Sequence, residues 1–253
     1  MNVLVLRLGT GERIGRDRSR CFSCGKTLTW HELVPLLSFL IQKGRCRSCG
    51  SQISWQYPIV EFTTGLIFVL TGWHVLGFEF GISNFFRISD FGFLIFGWFY
   101  FAAIFSLLLA ISVYDFRHKI IPNRFVYPFI ALSLISGSLT SVFFTEVRLP
   151  EIFAGAGAFF FFASLWFFSK GRWMGLGDAK LALGIGFLLG PWLTIVAVVL
   201  SFWIGTLIAV PVVLFWGGGL KTQIPFGPFL ALGAFASWVF SDVVLAFFNA
   251  LLF

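Results

Sequence analysis

From residue 57 onward the chain is a succession of long apolar runs, interrupted by short clusters of charged residues and glycine. A helical membrane span needs ~20 mostly apolar residues, because a helix rises ~1.5 Å per residue across a hydrocarbon core ~30 Å thick. Seven segments are candidates: 57–80, 91–113, 124–145, 151–168, 180–192, 193–216 and 226–250. The fifth, around LALGIGFLLGPW, is short and glycine-rich, and Pro191 is either a kink or the turn into the sixth. The pattern predicts an all-α polytopic membrane protein with about seven transmembrane helices. The opening MNVLVLRLG, broken at Arg7, is too short for a span or a signal-peptide core.

Composition narrows the class further. Of 253 residues, 58% are hydrophobic and only 11% charged, with 36 Phe and 10 Trp, so too little polar surface exists to coat a soluble domain. A disordered chain and a nucleic-acid-binding domain are excluded on the same ground. The formal charge of +7 is unevenly placed: residues 1–56 carry nine Lys/Arg against three acids, residues 57–253 nine against eight. Two regions follow, a basic head at 1–56 and a membrane body at 57–253. With the head in the cytoplasm, alternating spans put sixteen Lys/Arg inside and two, Arg87 and Arg148, outside, which satisfies the positive-inside bias. A basic head at a membrane surface also predicts attraction to anionic lipid headgroups.

All four cysteines lie in the head, as Cys21-x-x-Cys24 and Cys46-x-x-Cys49, each pair inside a local repeat, CFSCGKTLTW and CRSCGSQISW. Glycine after each second cysteine permits the tight turn that lets two thiolates face one ion. The spacing predicts a four-cysteine structural zinc site; two disulfides or unbound thiols are the alternatives, which a reducing cytoplasm disfavours. A closed four-thiolate shell leaves no open position for catalysis, so its role is to hold a small domain together.

Few acids lie in or beside the spans, and such residues are functional candidates because burying charge in lipid is costly. Asp115 ends an apolar helix in YDFRHKIIPN, and Asp178 precedes another in MGLGDAK, where Gly175 and Gly177 allow close backbone approach. Both fall at cytoplasmic helix ends. Two such carboxylates, if they meet, share one proton and supply the base and the acid of water-mediated amide hydrolysis. The plainer readings are an exposed loop acid for Asp115 and a helix N-cap for Asp178. Glu61, in YPIVEFTTG, is either a helix-packing group or part of the site. A proton-coupled transporter is the competing class, although transporter carboxylates usually lie near the bilayer midplane on broken helices.

Taken together, these motifs make the chain resemble the type IV prepilin peptidases, bifunctional leader peptidases and N-methyltransferases of bacteria. The carrying residues run in order across nearly the whole chain: Asn2 to Leu8 with GERIGRDRSRC, the paired CxxCG motifs, HELVPLLSFLIQKGRCRSCG, YPIVEFTTG, YDFRHKIIPN, GLGDAKLALGIG and IPFGPFLALGA. The resemblance implies that Asp115 and Asp178 are the catalytic pair of a Gly-x-Gly-Asp intramembrane aspartyl protease, with Gly175, Gly177, Lys180 and Glu61 as supporting residues. It implies prepilin or pseudopilin substrates, cut after a glycine that ends a short basic leader. It also implies S-adenosylmethionine as methyl donor to the new amino terminus, and a bacterial inner-membrane location with the site on the cytoplasmic side. One departure stands out: the family usually starts with a further membrane helix, and this chain begins inside the segment that follows it. Position 123 is Asn where many members carry Asp, a variation the family tolerates.

Overall fold

The computed structural model describes residues 18–77, 88–141, 149–215 and 224–252. The opening segment 1–17, with its family-like residues, and Arg87, Arg148 and Lys221 of the orientation count lie outside the described residues. Among the described residues the regular elements are helices: α1 (Leu37–Ile41), α2 (Gln56–Gly77), α3 (Ile88–His118), α4 (Asn123–Ser141), α5 (Leu149–Ser169), α6 (Leu176–Phe215), α7 (Gly227–Val239) and α8 (Ser241–Leu252). The only ladder-type pairings described are two isolated antiparallel bridges, Arg20 with Thr27 and Arg45 with Gln52. Two compact units divide after Val69, within α2.

Among the described residues, four helices are long and apolar enough to cross a membrane: Gln56–Leu76, Gly92–His118, Leu149–Ser169 and Leu176–Phe215. A fifth exists if α7 and α8, bent by 73° at Phe240, count as one. The expected count of seven spans is not confirmed by these helices. The fifth and sixth expected segments run together in α6, whose 40 residues would measure ~60 Å if straight, about twice a bilayer core. A break inside it has a clear cause, because Gly190 adopts φ 70°, ψ −177° immediately before Pro191. The third expected span is helical as α4, but its serine-rich second half dilutes the hydropathy, and residues 142–145 lie outside the described residues.

In the larger unit α6 is the central element, packed against α5, α7 and α4, while α3 packs against α7 and α4. Its first half is small on the inside: a Cβ placed on Gly186 would lie 2.4 Å from the Gly155 Cα, so α5 and α6 touch backbone to backbone. The phenylalanine run of α5 divides as expected of a helix with one packed face. Phe162 is fully buried, whereas Phe160, Phe161, Phe167 and Phe168 are exposed.

The smaller unit is built by the sequence repeat. In each loop the first cysteine accepts on its carbonyl the N–H of the following glycine, Gly25 to Cys21 and Gly50 to Cys46, both at 2.9 Å. Both glycines stand at φ 70°, the left-handed conformation that the repeat anticipates. The turn after the first loop is fastened by Glu32, a buried acid that accepts the Thr29 N–H at 2.9 Å, the Thr29 hydroxyl at 2.8 Å and the Lys26 ammonium at 3.1 Å. The Thr29 N–H first, then the Thr29 hydroxyl and Lys26, hold its carboxyl at about 2, below the ordinary 4.5. A depressed carboxylate contributes stability above its unfolded value and loses it as pH falls through the folded one. The Thr29 amide should accordingly exchange faster in Glu32→Gln than in wild type by a constant factor from pH 7 to 5. That difference should close as pH falls toward about 2. Amide exchange read at both pH values checks this, and a difference that is already gone at pH 5 would contradict it.

Candidate active site

Asp115 sits on the last turn of α3, which ends because Lys119 turns into the left-handed region (φ 54°) and donates its N–H to the Asp115 carbonyl at 2.7 Å. Pro122 then opens α4, its carbonyl accepting from Phe125 and Val126. Asp115 is only 4% exposed, whereas Arg117, His118 and Lys119 beside it are exposed, so it is not a loop acid in water. Its Oδ2 accepts the backbone N–H of Gly227, the first residue of α7, at 3.1 Å.

Asp178, 7% exposed, is the third residue of α6. Its Oδ2 accepts the N–H of Gly175, just before the helix, at 3.2 Å, the backward reach by which an acid at the third helical position satisfies a free donor. The other oxygen, Oδ1, is buried and makes no hydrogen bond among the described residues. The helix-start reading of Asp178 therefore accounts for one of its two oxygens and not for the other.

The two carboxylates are close enough for the charge of Asp115 to act on Asp178, and among the described residues neither is balanced by a basic side chain. Three segments converge around them through one side chain. A Cβ on Gly177 would lie 2.9 Å from the Ile121 Cβ, and one on Gly227 would lie 3.4 Å from Ile121 Cδ1 and 2.7 Å from Asp115 Oδ2. The loop after α3, the start of α6 and the start of α7 thus meet over the aspartates, and Gly177 and Gly227 leave room for that meeting. Gly175 has a different part: a Cβ there would sit 3.5 Å from Asp178 Oδ2, an ordinary contact, so its contribution is the N–H it donates.

Lys180, two residues beyond Asp178, donates to Asn123 Oδ1 at 3.0 Å and lies 5.5 Å from the centre of the Tyr127 ring, which joins the starts of α6 and α4. Glu61 belongs to the smaller unit, where its Oε2 accepts the N–H of Leu36 at 2.9 Å. Leu36 is a non-glycine residue at φ 58°, and this charge-assisted bond steadies it at the entrance to α1.

The four cysteines form a second centre. All four are free thiols, and their sulfurs lie within 4.8 Å of one another. Cys21 Sγ and Cys49 Sγ are 3.8 Å apart. A tetrahedral shell with metal–sulfur bonds of ~2.3 Å requires sulfurs ~3.8 Å apart, so the donor set fits a four-thiolate ion site. The Cys24 and Ser23 backbone N–H groups, with the Ser51 hydroxyl, bring the Cys21 thiol down to about 6, toward the thiolate that ligates metal. Ser51 also lies 3.1 Å from Cys49 Sγ, a supporting contact that the cysteine spacing does not reveal. Gly227 and Ile121 are likewise absent from a motif-level reading of chemistry. The available signal for Gly227 was the Gly-Pro pair that opens an apolar helix in IPFGPFLALGA.

Comparison with known proteins gives a consistent picture. Residues 1–75 match the family profile described as the bacterial peptidase A24 N-terminal domain, and residues 102–210 match the type IV leader peptidase family. A prepilin leader peptidase/N-methyltransferase of Bacillus subtilis is 34% identical over 234 residues, covering 91% of this chain and 85% of the relative. Proteins of the same name from Xanthomonas campestris and Pseudomonas aeruginosa are 31% and 28% identical, over 85% and 89% of this chain and 68% and 72% of theirs. No solved structure matches.

Proposed function

Because this chain belongs to the type IV leader peptidase family, we propose that it is a membrane aspartyl endopeptidase and amino-terminal methyltransferase in which Asp115 and Asp178 cut the basic leader from prepilins or pseudopilins. The observation that carries the reading is the meeting of two buried carboxylates from distant segments, with no basic partner among the described residues and one of them keeping an oxygen without a hydrogen bond there. Nothing among the relatives favours the transporter alternative.

The chemistry follows from that arrangement. With one proton held between the carboxylates, the ionised one takes a proton from water as the water oxygen bonds to the scissile carbonyl carbon. The protonated one gives its proton to the carbonyl oxygen. Collapse of the tetrahedral intermediate breaks the C–N bond: the nitrogen leaves with the proton taken from water, and the hydroxyl formed from the carbonyl returns its proton to the carboxylate that gave it. The leader departs with a new carboxyl group after its glycine, and the pilin keeps a free amine. Only then does an acceptor exist for methylation, for which S-adenosylmethionine supplies the methyl group. A leader rich in Lys/Arg stays at the cytoplasmic face because carrying those charges through lipid is costly, which brings the scissile bond to the membrane edge.

In this reading residues 1–56 are a basic cytoplasmic head attracted to anionic lipid, and residues 57–253 are the membrane domain of an inner-membrane enzyme. Cys21, Cys24, Cys46 and Cys49 would hold one structural zinc, whose chemistry there is to fix the two loops. Lys180 and Glu61 support the local structure around the starts of α6 and α1.

Replacing Asp115 or Asp178 with Asn keeps the shape but removes proton exchange, so each variant should insert normally and cleave a synthetic prepilin at less than about 1% of the wild-type rate, within the 10²–10⁴-fold effect of an acid–base group. Mass measurement of the product's amino terminus reads both steps. Asp115→Asn should still methylate pilin that has already been cleaved, and substantial cleavage by both variants would overturn the pair. Purified reduced protein should contain about one equivalent of zinc. Less than about half an equivalent, with all four thiols freely alkylated, would contradict the metal assignment.

A further inference from the structure

We infer that Gly227 is a positioning residue for the proteolytic pair: its backbone N–H, and its lack of a side chain, let the start of α7 hold the Asp115 carboxylate in place. The inference rests on the reading of Asp115 and Asp178 as that pair.

The first N–H groups of a helix have no partner within the helix, so each must find one elsewhere. At the start of α7 the accounting is short. Phe229 and Leu230 donate to the Phe226 carbonyl, Pro228 has no N–H, and Gly227 donates to Asp115 Oδ2 at 3.1 Å. Gly227 is therefore the donor through which α7 grips the carboxylate, across 112 positions of sequence.

Space leads to the same residue. A Cβ on Gly227 would stand 2.7 Å from Asp115 Oδ2 and 3.3 Å from its Cγ, closer than real side chains approach, with Ile121 Cδ1 at 3.4 Å on its flank. Retreat of α7 is opposed by its packing against both α6 and α3. Any side chain at 227 must then turn the carboxylate or break the hydrogen bond. With Oδ2 engaged by Gly227, Oδ1 is the oxygen of Asp115 left to work with Asp178 and the attacking water. The donated N–H and the positive end of a 13-residue helix also stabilise negative charge on this carboxylate as the reaction proceeds.

Gly227→Ala should lower kcat for cleavage about 100-fold, the size of effect expected when a reacting group is displaced by about 1 Å. KM should stay within about twofold, because the hydrogen bond from Gly227 positions the carboxylate and not the peptide. Methylation of precleaved pilin by the same variant should be unchanged, which excludes a general loss of structure. Gly205→Ala serves as the packing control: its Cβ would meet the Phe229 ring at 3.3 Å, on the same pair of helices but away from the aspartates, and it should cleave normally. Wild-type cleavage by Gly227→Ala overturns the inference, as does an equal loss of cleavage in Gly205→Ala or a parallel loss of methylation. Should Gly227→Ala not insert, amide exchange in the full chain decides. In Asp115→Ala the Gly227 amide should exchange at least about tenfold faster while Phe229 and Leu230, bonded within the chain, stay unchanged. An unchanged Gly227 amide overturns the inference. Active Asp115→Asn and Asp178→Asn enzymes would instead sink the underlying pair, a result distinct from a failure at Gly227.

Discussion

Two carboxylates are withdrawn from water at the ends of apolar helices, with no basic side chain among the described residues to balance them. Removing an unpaired carboxylate from water costs several kcal/mol per ion, so such an arrangement persists only where other groups offset it. Here the compensation is backbone: Gly227 donates to Asp115 and Gly175 donates to Asp178. Each donor lies at the beginning of a helix, where an N–H is otherwise unpaired, so the same bond satisfies the helix start and the acid. The glycines, the Ile121 wedge and the close packing of α6 against its neighbours all follow from bringing these helix ends together without filling the space between them.

The small unit solves a different problem by a different route. A small unit has little apolar interior, and a donor set of four close thiols is the kind of cross-linking site that supports such domains. The two CxxCG loops are built alike, with the same carbonyl-to-glycine bond and the same left-handed glycine, and they bring four sulfurs to within one coordination sphere. The Glu32 and Glu61 contacts then fasten the intervening segment, each carboxylate accepting a backbone N–H.

The candidate residues were legible from the sequence by their type and place. Asp115, Asp178 and the four cysteines stand out because an acid beside a span, or a thiol pair at fixed spacing, has few plain explanations. The burial of Asp115 removes its reading as an exposed loop acid, and the capping contact of Asp178 engages Oδ2 while Oδ1 has no hydrogen bond among the described residues. Residues that act through backbone or shape were not legible. Gly227 meets Asp115 from 112 positions away by an N–H every residue but proline possesses, and Ile121 looks like any other apolar side chain. The count of seven spans is not confirmed among the described residues. Hydropathy with Pro191 marked the place where α6 kinks, at Gly190, but apolar length alone does not show that the last segment bends at Phe240.

Binding of a leader peptide whose scissile amide is replaced by a hydroxyethylene group tests the account most directly, because that group imitates the tetrahedral intermediate between the two carboxylates. In equilibrium binding to purified full-length protein in lipid nanodiscs, the account predicts affinity at least about 100-fold above that of the unmodified leader peptide, as expected of a transition-state analogue. That gain should vanish in both Asp115→Asn and Asp178→Asn. An isostere that binds either variant as tightly as wild type would contradict the claim that these two aspartates act together on the scissile bond.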